Sequence, residues 1–94
     1  MTTHDLKTWP EPFAAILDGR KRFEIRRADR PFAVGDEVLL REWATQVGDY
    51  TGREIRTTIT YLVQPGEWGL PPGLCVFGLG RMILRRDGSV KEDE

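Results

Sequence analysis

The spacing of apolar positions predicts one short helix near the start of the chain. Over residues 10–19, Phe13, Ile16 and Leu17 recur at the intervals that bring side chains to one face of a helix. The two prolines of this stretch suit the first helical turn, and Gly19 suits the left-handed residue that ends a helix. The helix is therefore expected to bury one apolar face and to end just before a run of charged residues.

After this helix the pattern changes to the period of two that is typical of β-strands. The predicted strands cover residues 22–26, 37–43, 54–63 and 74–84. Segments rich in Gly, Pro and polar residues predict loops at 44–53 and 64–73 and a turn at 85–89. Gly78 and Gly80 weaken the last strand unless they permit a bulge, a sharp bend or the close approach of another backbone.

The alternation also predicts which face of each strand is buried. In the first strand, Phe23 and Ile25 are expected to face the core, and Glu24 and Arg26 to point away from it. In the third strand, the odd-numbered positions are expected to share the buried face. The predicted core consists of Phe13, Ile16, Leu17, Phe23, Ile25, Val38, Leu40, Ile55, Ile59, Tyr61, Val76, Phe77 and Leu79.

Several short strands, one early helix and glycine kinks predict a mainly β fold with one or two short helices. The expected architecture is a small, strongly bent β-barrel whose helix covers one end, with an α+β sandwich as the alternative. The 94 residues are expected to form a single domain over 1–89 and a flexible acidic tail over 90–94.

Composition narrows the possible classes of site and compartment. One cysteine excludes an internal disulfide and a cysteine-based zinc cluster, and Cys75, inside an apolar run, is expected to be a small buried hydrophobe. With a single histidine as well, no metal and no cofactor are expected. The absence of a secretory segment and of a long apolar run predicts a soluble, cytoplasmic protein without membrane contact. A monomer is favoured, and a protein partner stays open.

Charge is unevenly distributed along the chain although the net charge is only −1. Residues 20–30 contain six basic and two acidic residues, a local charge of +4. A basic patch on a nearly neutral domain favours an anionic ligand over general coating of nucleic acid. Elsewhere, the neighbours Arg41 and Glu42 point to opposite faces of one strand, so one of them must be paired in the interior or line a cleft.

Gly19, Lys21, Glu24 and Arg26 occur in the spacing GxKxxExR, which resembles the motif of the ASCH domain, a relative of the PUA RNA-binding β-barrel. The likeness covers residues 4–79, and the chain is similar to a group of short uncharacterised ASCH-like proteins of bacteria and phages. The further segments that carry it are His4 to Lys7, Asp29 to Phe32, Val34 to Asp36 and Tyr50 to Arg53.

This resemblance implies a PUA-like barrel with a cleft beside the first helix, and the binding of RNA or nucleotides. One branch of the family resembles an amidohydrolase that acts on acylated cytidine through a Lys and a Thr of the motif and a later Glu. In this sequence Glu24 occupies the position of that Thr. The leading hypothesis is an RNA- or nucleotide-binding domain. A small amidohydrolase acting on a modified nucleoside and a phage or bacterial protein-interaction modulator are the alternatives, so whether the chain is an enzyme stays open.

A single cleft is expected to hold the ligand between the helix and the barrel. Its predicted lining is His4, Lys7, Lys21, Glu24, Arg26, Tyr50, Thr51 and Arg53. Lys21 and Arg26 suit a phosphate, and Glu24 can accept a hydrogen bond from the amino group of a base. Residues 50–53 combine an aromatic plane, a hydroxyl and a guanidinium, which suits a nucleobase and its phosphate. If a reaction is catalysed, Lys21, Glu24 and His4 are the candidate acid–base groups.

Each of these residues also has a purely structural interpretation. Glu24 and Arg26 can form an ion pair that supports the barrel. A lone histidine such as His4 is often a hydrogen-bonded structural residue. Residues 50–53 can be an ordinary hairpin tip with a glycine. The sequence alone leaves these alternatives open.

Overall fold

The computed structural model describes residues 1–86, which contain one α-helix and six β-strands. The helix α1 is Pro10–Leu17. The strands are β1 (Thr3–Thr8), β2 (Phe23–Arg27), β3 (Glu37–Ala44), β4 (Asp49–Val63), β5 (Leu74–Leu79) and β6 (Leu84–Arg86). The prediction of a mainly β fold with a short helix is therefore confirmed. The predicted tail at 90–94 and most of the predicted turn at 85–89 lie outside the described residues.

The strands follow one another in the order β1-β3-β4-β5-β2, with β6 paired to β4. β1 runs parallel to β3, and the remaining pairs are antiparallel. β4 is 15 residues long, and it pairs with β3 and β6 over its first part and with β5 over its last part. β4 therefore belongs to both halves of the sheet.

β1 is a strand that sequence analysis did not predict. His4, Leu6 and Thr8 are buried and alternate with exposed residues, as expected for a strand with one face on the core. A parallel pair needs a long crossover connection, which α1, β2 and the following loop supply between β1 and β3. This pairing places the start of the chain beside β3, at one end of the strand order.

The core lies between α1 and the inner faces of the strands. Most of the predicted core is buried: Phe13, Ile16, Val38, Leu40, Ile55, Ile59, Phe77 and Leu79. Leu6 and Phe32 are also buried and were not predicted, whereas Leu17 and Val76 are only partly covered. Cys75 is 2% exposed, as expected for a small buried hydrophobe.

The predicted orientation of β2 is wrong. Glu24 is 4% exposed, whereas Phe23 and Ile25 are 45% and 55% exposed. The pairing with β5 explains this orientation, because Glu24 lies opposite Phe77 and therefore shares its inward face. Alternation alone does not show which of the two faces of a strand is buried. Here the polar face is the buried one, because cations neutralise its carboxylate.

The predicted burial of Tyr61 is also wrong, because the register of β4 changes just before it. Ile55, Thr57 and Ile59 face inward as predicted, but a β-bulge lies between Ile59 and Tyr61 in the pairing with β5. One extra residue in a strand moves every later side chain to the opposite face. Tyr61 is therefore 65% exposed.

The glycines of the last predicted strand lie against threonine side chains of β4. A Cβ at Gly78 would lie 2.8 Å from Thr60 Oγ1, and one at Gly80 would lie 2.9 Å from Thr58 Oγ1. The strand predicted over 74–84 is interrupted after Leu79, and β6 then pairs with β4. The glycines thus allow the chain to cross β4 closely and to continue along another part of it.

The loop predicted over residues 44–53 is mostly strand. β3 and β4 form a hairpin whose turn covers only residues 45–48. Within β4, Thr51, Gly52 and Arg53 lie opposite the single residue Glu42, and Gly52 has a φ of +94°. A left-handed residue of this kind favours glycine and lets the strand bulge outward.

The two ends of the strand order, β1 and β2, face each other across a seam. In the described part of the chain no backbone ladder joins them. Arg26 on β2 nevertheless donates from Nη2 to the backbone carbonyl of Lys7 on β1 at 2.9 Å and to Thr8 Oγ1 at 3.3 Å. One arginine side chain therefore connects the two edge strands where backbone pairing does not.

Candidate functional site

The largest concavity described lies along this seam between β1 and β2. It is a groove of about 630 Å³, bounded by β1, the start of α1, β2 and the loop after β2. Of the predicted site residues it contains Lys7, Lys21, Glu24 and Arg26, and it does not contain His4, Tyr50, Thr51 or Arg53. Four of the eight residues predicted to line a single cleft therefore line this groove, and the other four lie elsewhere.

The three polar residues of the motif form one connected cluster in the wall of this groove. Lys21 Nζ donates to Glu24 Oε2 at 2.6 Å, and Arg26 Nε donates to Glu24 Oε1 at 2.9 Å. The Glu24 side chain is buried, while those of Lys21 and Arg26 are each 23% exposed. A carboxylate has about four lone-pair positions, so these two bonds leave it able to accept further hydrogen bonds.

The end of α1 positions Lys21. Gly19, at a φ of +88°, turns the chain away from the helix, and the Lys21 N–H donates to the carbonyl of Ala15 at 3.0 Å. The ammonium of Lys21 also donates to the carbonyl of Phe23 at 2.7 Å. With Glu24, two of its three N–H donors are thus engaged within the described residues, and the ammonium also lies 4.8 Å from the centroid of the Phe23 ring.

The rest of the groove combines apolar rings with positive charge. Trp9, Phe23 and Phe32 contribute aromatic surface. Five basic and two acidic side chains line the groove, so cations predominate around the buried carboxylate; the basic ones beyond the motif are Lys7, Arg27 and Arg30. Arg30 lies 3.7 Å from Asp29 and faces the ring of Phe32, so this pair shapes the rim as well as adding charge.

Lys7 links the groove to Tyr50 on the outer face of the sheet. Its ammonium lies 3.8 Å from the centroid of the Trp43 ring, and Trp43 meets Tyr50 edge to face at 5.0 Å. Arg41 stacks on Tyr50, with its guanidinium carbon 3.9 Å from the centroid of the Tyr50 ring. Tyr50 is therefore part of a surface aromatic–cation row beside the groove and not of its lining.

Thr51 and Arg53 bind the buried carboxylate of Glu42. Arg53 donates from Nε at 2.7 Å and from Nη2 at 2.9 Å, and Thr51 Oγ1 donates at 2.8 Å. The hydrogen bonds of Arg53, followed by the hydroxyl of Thr51, hold the pKa of Glu42 below its usual range despite burial. The prediction that either Arg41 or Glu42 must be paired inside is confirmed, and the bulge around Gly52 is what brings the two donors together.

His4 is buried in a hydrogen-bonded structural position. Its Nε2 donates to Asp36 Oδ2 at 2.8 Å, and its ring lies 4.6 Å from that of Phe32. Asp36 also accepts from the backbone N–H groups of Thr2 and Ala33. The bond from His4, followed by these two backbone donors, holds the pKa of Asp36 below its usual range. His4 therefore joins β1 to the turn before β3 and sits behind the groove wall.

Other candidate chemistry is not assembled in the described residues. Burial raises the pKa of the Cys75 thiol, so it is poorly suited to act as a nucleophile. Across residues 1–86 no three His, Cys, Asp or Glu side chains gather as metal ligands do. The same part of the chain contains no helix with the length and apolar character needed to cross a bilayer.

Sequence analysis missed the contribution of two segments to the groove. Leu6 and Thr8 come from β1, and their alternation with charged neighbours was the signal that identifies this strand. Phe32 comes from the loop after β2, where no periodic pattern predicts the position of a side chain. The orientation of both segments depends on contacts with residues far away in sequence.

Comparison with known proteins identifies relatives. The sequence model of the family described as "Domain of unknown function (DUF3850)" matches residues 3–79. Over 65 residues the chain is 35% identical to the "Uncharacterized 12.9 kDa protein in GpA 3'region" of Escherichia phage P2, an alignment that covers 69% of this chain. The chain spans 58% of the length of that phage protein. The match of the family model includes the whole groove.

Proposed function

Since the chain belongs to the DUF3850 family of domains of unknown function, we propose from the geometry of its groove that it binds a nucleotide, alone or within single-stranded RNA. The groove holds the base, and the cations around it attract the phosphate. We further propose that the fold is a PUA-like barrel of the ASCH type, in which the Arg26 bridge closes the seam between β1 and β2. The GxKxxExR motif supports this relationship.

The observation that carries the proposal is the buried carboxylate of Glu24 at the wall of an apolar, cationic groove. Burying a carboxylate is costly even when it is paired, and Glu24, unlike the paired carboxylate of Glu42, lines the groove. In a binding site the same carboxylate has a use, because it accepts hydrogen bonds from the amino group of a base. Lys21 and Arg26 orient it through hydrogen bonds of 2.6 Å and 2.9 Å.

The remaining walls support the same class of ligand. Exposed aromatic rings at Trp9 and Phe23 suit the face of a base, which stacks on such rings whatever its sequence. Five basic side chains around the groove suit the sugar–phosphate backbone. A volume of about 630 Å³ matches the size of sites that hold a small organic ligand.

Binding of a fluorescently labelled single-stranded RNA pentamer tests the proposal. Fluorescence anisotropy at low salt is expected to show saturable binding that weakens as salt is added. Lys21→Ala should reduce the affinity by about tenfold or more, because it removes one hydrogen-bond donor to the phosphate and one of the cations that hold Glu24. Arg20→Ala is the matched control, since Arg20 pairs with Asp18 on the exposed surface and does not line the groove. Absence of saturable binding at low salt contradicts the proposal.

The contact between Lys21 and Glu24 favours a second candidate function, hydrolysis of an acylated nucleoside. An amine and a carboxylate 2.6 Å apart at a groove wall have the geometry of a nucleophile or base with its partner. Incubation with acetylated cytidine, followed by chromatography, is expected under this hypothesis to release cytidine and acetate. Lys21→Ala should abolish the release and Arg20→Ala should preserve it. No turnover above buffer with the wild-type protein removes acetylated cytidine as a substrate.

A further inference from the structure

A second cavity of about 340 Å³ adjoins the groove on the other side of Lys21. Lys21 lines both cavities. The second cavity lies between the end of α1, the start of β2 and the segment after β5. Its charged lining residues are Lys21, Arg22 and Arg81.

Backbone contacts bring these cations together. Leu79 donates from its N–H to the carbonyl of Arg22 at 2.9 Å, which aligns the start of β2 with the end of β5. The Thr57 hydroxyl lies 2.8 Å from the carbonyl of Gly80 and 3.0 Å from that of Arg81, and it anchors the next segment beside the cavity. Arg22 and Arg81 are therefore held near each other by main-chain contacts and not by a shared acidic partner.

The charge of this second cavity differs from that of the groove. No Asp or Glu is present among the described residues that line it. Across residues 1–86 Arg22 and Arg81 also lack a carboxylate within ion-pair distance, whereas Arg20 and Arg26 each have one. Two exposed guanidiniums without an acidic partner among these residues thus line the small space together with Lys21, whose ammonium is paired with Glu24.

The nearby end of α1 does not cancel this positive charge. The final carbonyl groups of a helix carry partial negative charge when they are unpaired. Here the Ala14, Ala15 and Ile16 carbonyls accept hydrogen bonds from the N–H groups of residues that follow the helix. These three carbonyls are thereby occupied and do not pair with the arginines of the cavity.

We propose that this second cavity binds a phosphate linked to the nucleotide whose base lies in the groove. The inference rests on the proposed function and specifies its ligand: a strand that continues past the bound base, with Lys21 between base and phosphate. Arg22 and Arg81 supply guanidinium forks that match phosphate oxygens, and the third N–H of Lys21 completes the set. An oligonucleotide is therefore preferred over a free nucleoside.

The test compares ribonucleosides with the corresponding homotrinucleotides by calorimetry or NMR titration. Arg22→Gln and Arg81→Gln, each alone, are expected to weaken trinucleotide binding about threefold to fivefold at low salt and to leave nucleoside binding unchanged. Each should also reduce the slope of log affinity against log salt by less than about 0.7, because 0.7 is the value for one whole phosphate contact on a single strand and three cations share this phosphate. Arg20→Gln is the matched control and should change neither quantity, because Arg20 lies outside the cavity.

The possible failures are distinguishable. If wild-type protein binds trinucleotides but Arg22→Gln and Arg81→Gln alter neither affinity nor salt slope, the phosphate site is overturned and the proposed function stands. The phosphate site is likewise overturned, with the proposed function intact, if nucleosides bind as tightly as trinucleotides. If neither ligand binds at low salt, both the proposed function and this inference are overturned. Both arginines are exposed, so thermal unfolding of the variants should match that of the wild type.

Discussion

Glu24 and Glu42 are both buried, and the cations that neutralise them lie in different parts of the fold. Glu24 is held by Lys21 and Arg26 at the wall of the groove, whereas Glu42 is held by Arg53 beneath α1. Transferring a carboxylate from water costs several kcal/mol, so each requires its cations. Because Glu24 lines the groove and Glu42 does not, the first can contact a ligand and the second stabilises the fold.

Glu42→Gln is expected to lower the free energy of unfolding at neutral pH by about 1.5 to 3 kcal/mol, since charge-assisted hydrogen bonds are lost. The folded pKa of Glu42 lies below the ordinary value of 4.5. Its stabilisation is therefore complete above pH 4.5 and is lost as the pH falls through the folded pKa. The difference between wild type and variant should shrink in that acidic range, as measured by urea unfolding at a series of pH values.

Glu11→Gln is the matched control for this experiment, because Glu11 is an exposed glutamate in the first turn of α1. It should change the free energy of unfolding by less than about 0.5 kcal/mol at every pH. A difference between wild type and Glu42→Gln that stays constant into the acidic range would show that the charge of Glu42 does not stabilise the fold.

Among the elements, β1 and β2 determine where the groove lies, because each is an edge strand with one edge that no other strand pairs with. An edge strand leaves backbone donors and acceptors without partners, and the side chain of Arg26 uses one of them, the carbonyl of Lys7. The seam between β1 and β2 is therefore open enough to form the groove, while the side chain of Arg26 still connects the two strands. A groove at this place follows from topology more than from any local sequence feature.

Arg26→Lys tests whether the side chain of Arg26 holds the seam together. Lysine keeps the charge but lacks the planar fork that contacts Glu24 and the carbonyl of Lys7 at once. Amide hydrogen exchange in β1 and β2 should accelerate roughly tenfold or more, while the β3–β4 hairpin keeps its protection. Arg27→Lys, on the exposed face of the same strand, is the control. Unchanged exchange in both edge strands would contradict the bridging role.

At the scale of the whole molecule, the domain combines a net charge of −1 with a concentrated positive region. The groove and the second cavity share Lys21 and both expose cations, so their positive charge lies on adjoining surface. A protein with little net charge is not expected to coat nucleic acid through its overall field. Under the proposed function, recognition is therefore expected to depend on the shape of the concavities.

Single-stranded RNA is expected to bind at least about tenfold more tightly than a duplex of the same length and at the same salt concentration. A groove of about 630 Å³ has room for an unstacked base but not for a paired helix. Competition against a labelled single strand, with unlabelled single strand and duplex as the competitors, measures the ratio. Equal competition by the duplex would indicate binding to exposed charge outside the groove.

Much of the fold was predictable from local patterns. The period of the apolar residues predicted α1 and the central parts of β2, β3, β4 and β5. The placement of Gly78 and Gly80 indicated a bulge, a sharp bend or a close approach, and the structure shows close contact with threonine side chains of β4. Lys21, Glu24 and Arg26 were predicted to share a site because GxKxxExR resembles the ASCH motif, with an ion pair between Glu24 and Arg26 as the structural alternative. Short-range spacing is enough for such features, since helix and strand geometry repeat within a few residues.

The tertiary structure decided which faces are buried and which residues share a site. Phe23 lies outside and Glu24 inside because β5 sets the register of β2 and because two cations neutralise the carboxylate. Arg53 turned inward to Glu42 because Gly52 permits a bulge opposite it. Burial of a charge depends on partners that other elements supply, and alternation along one strand carries no information about where those partners lie.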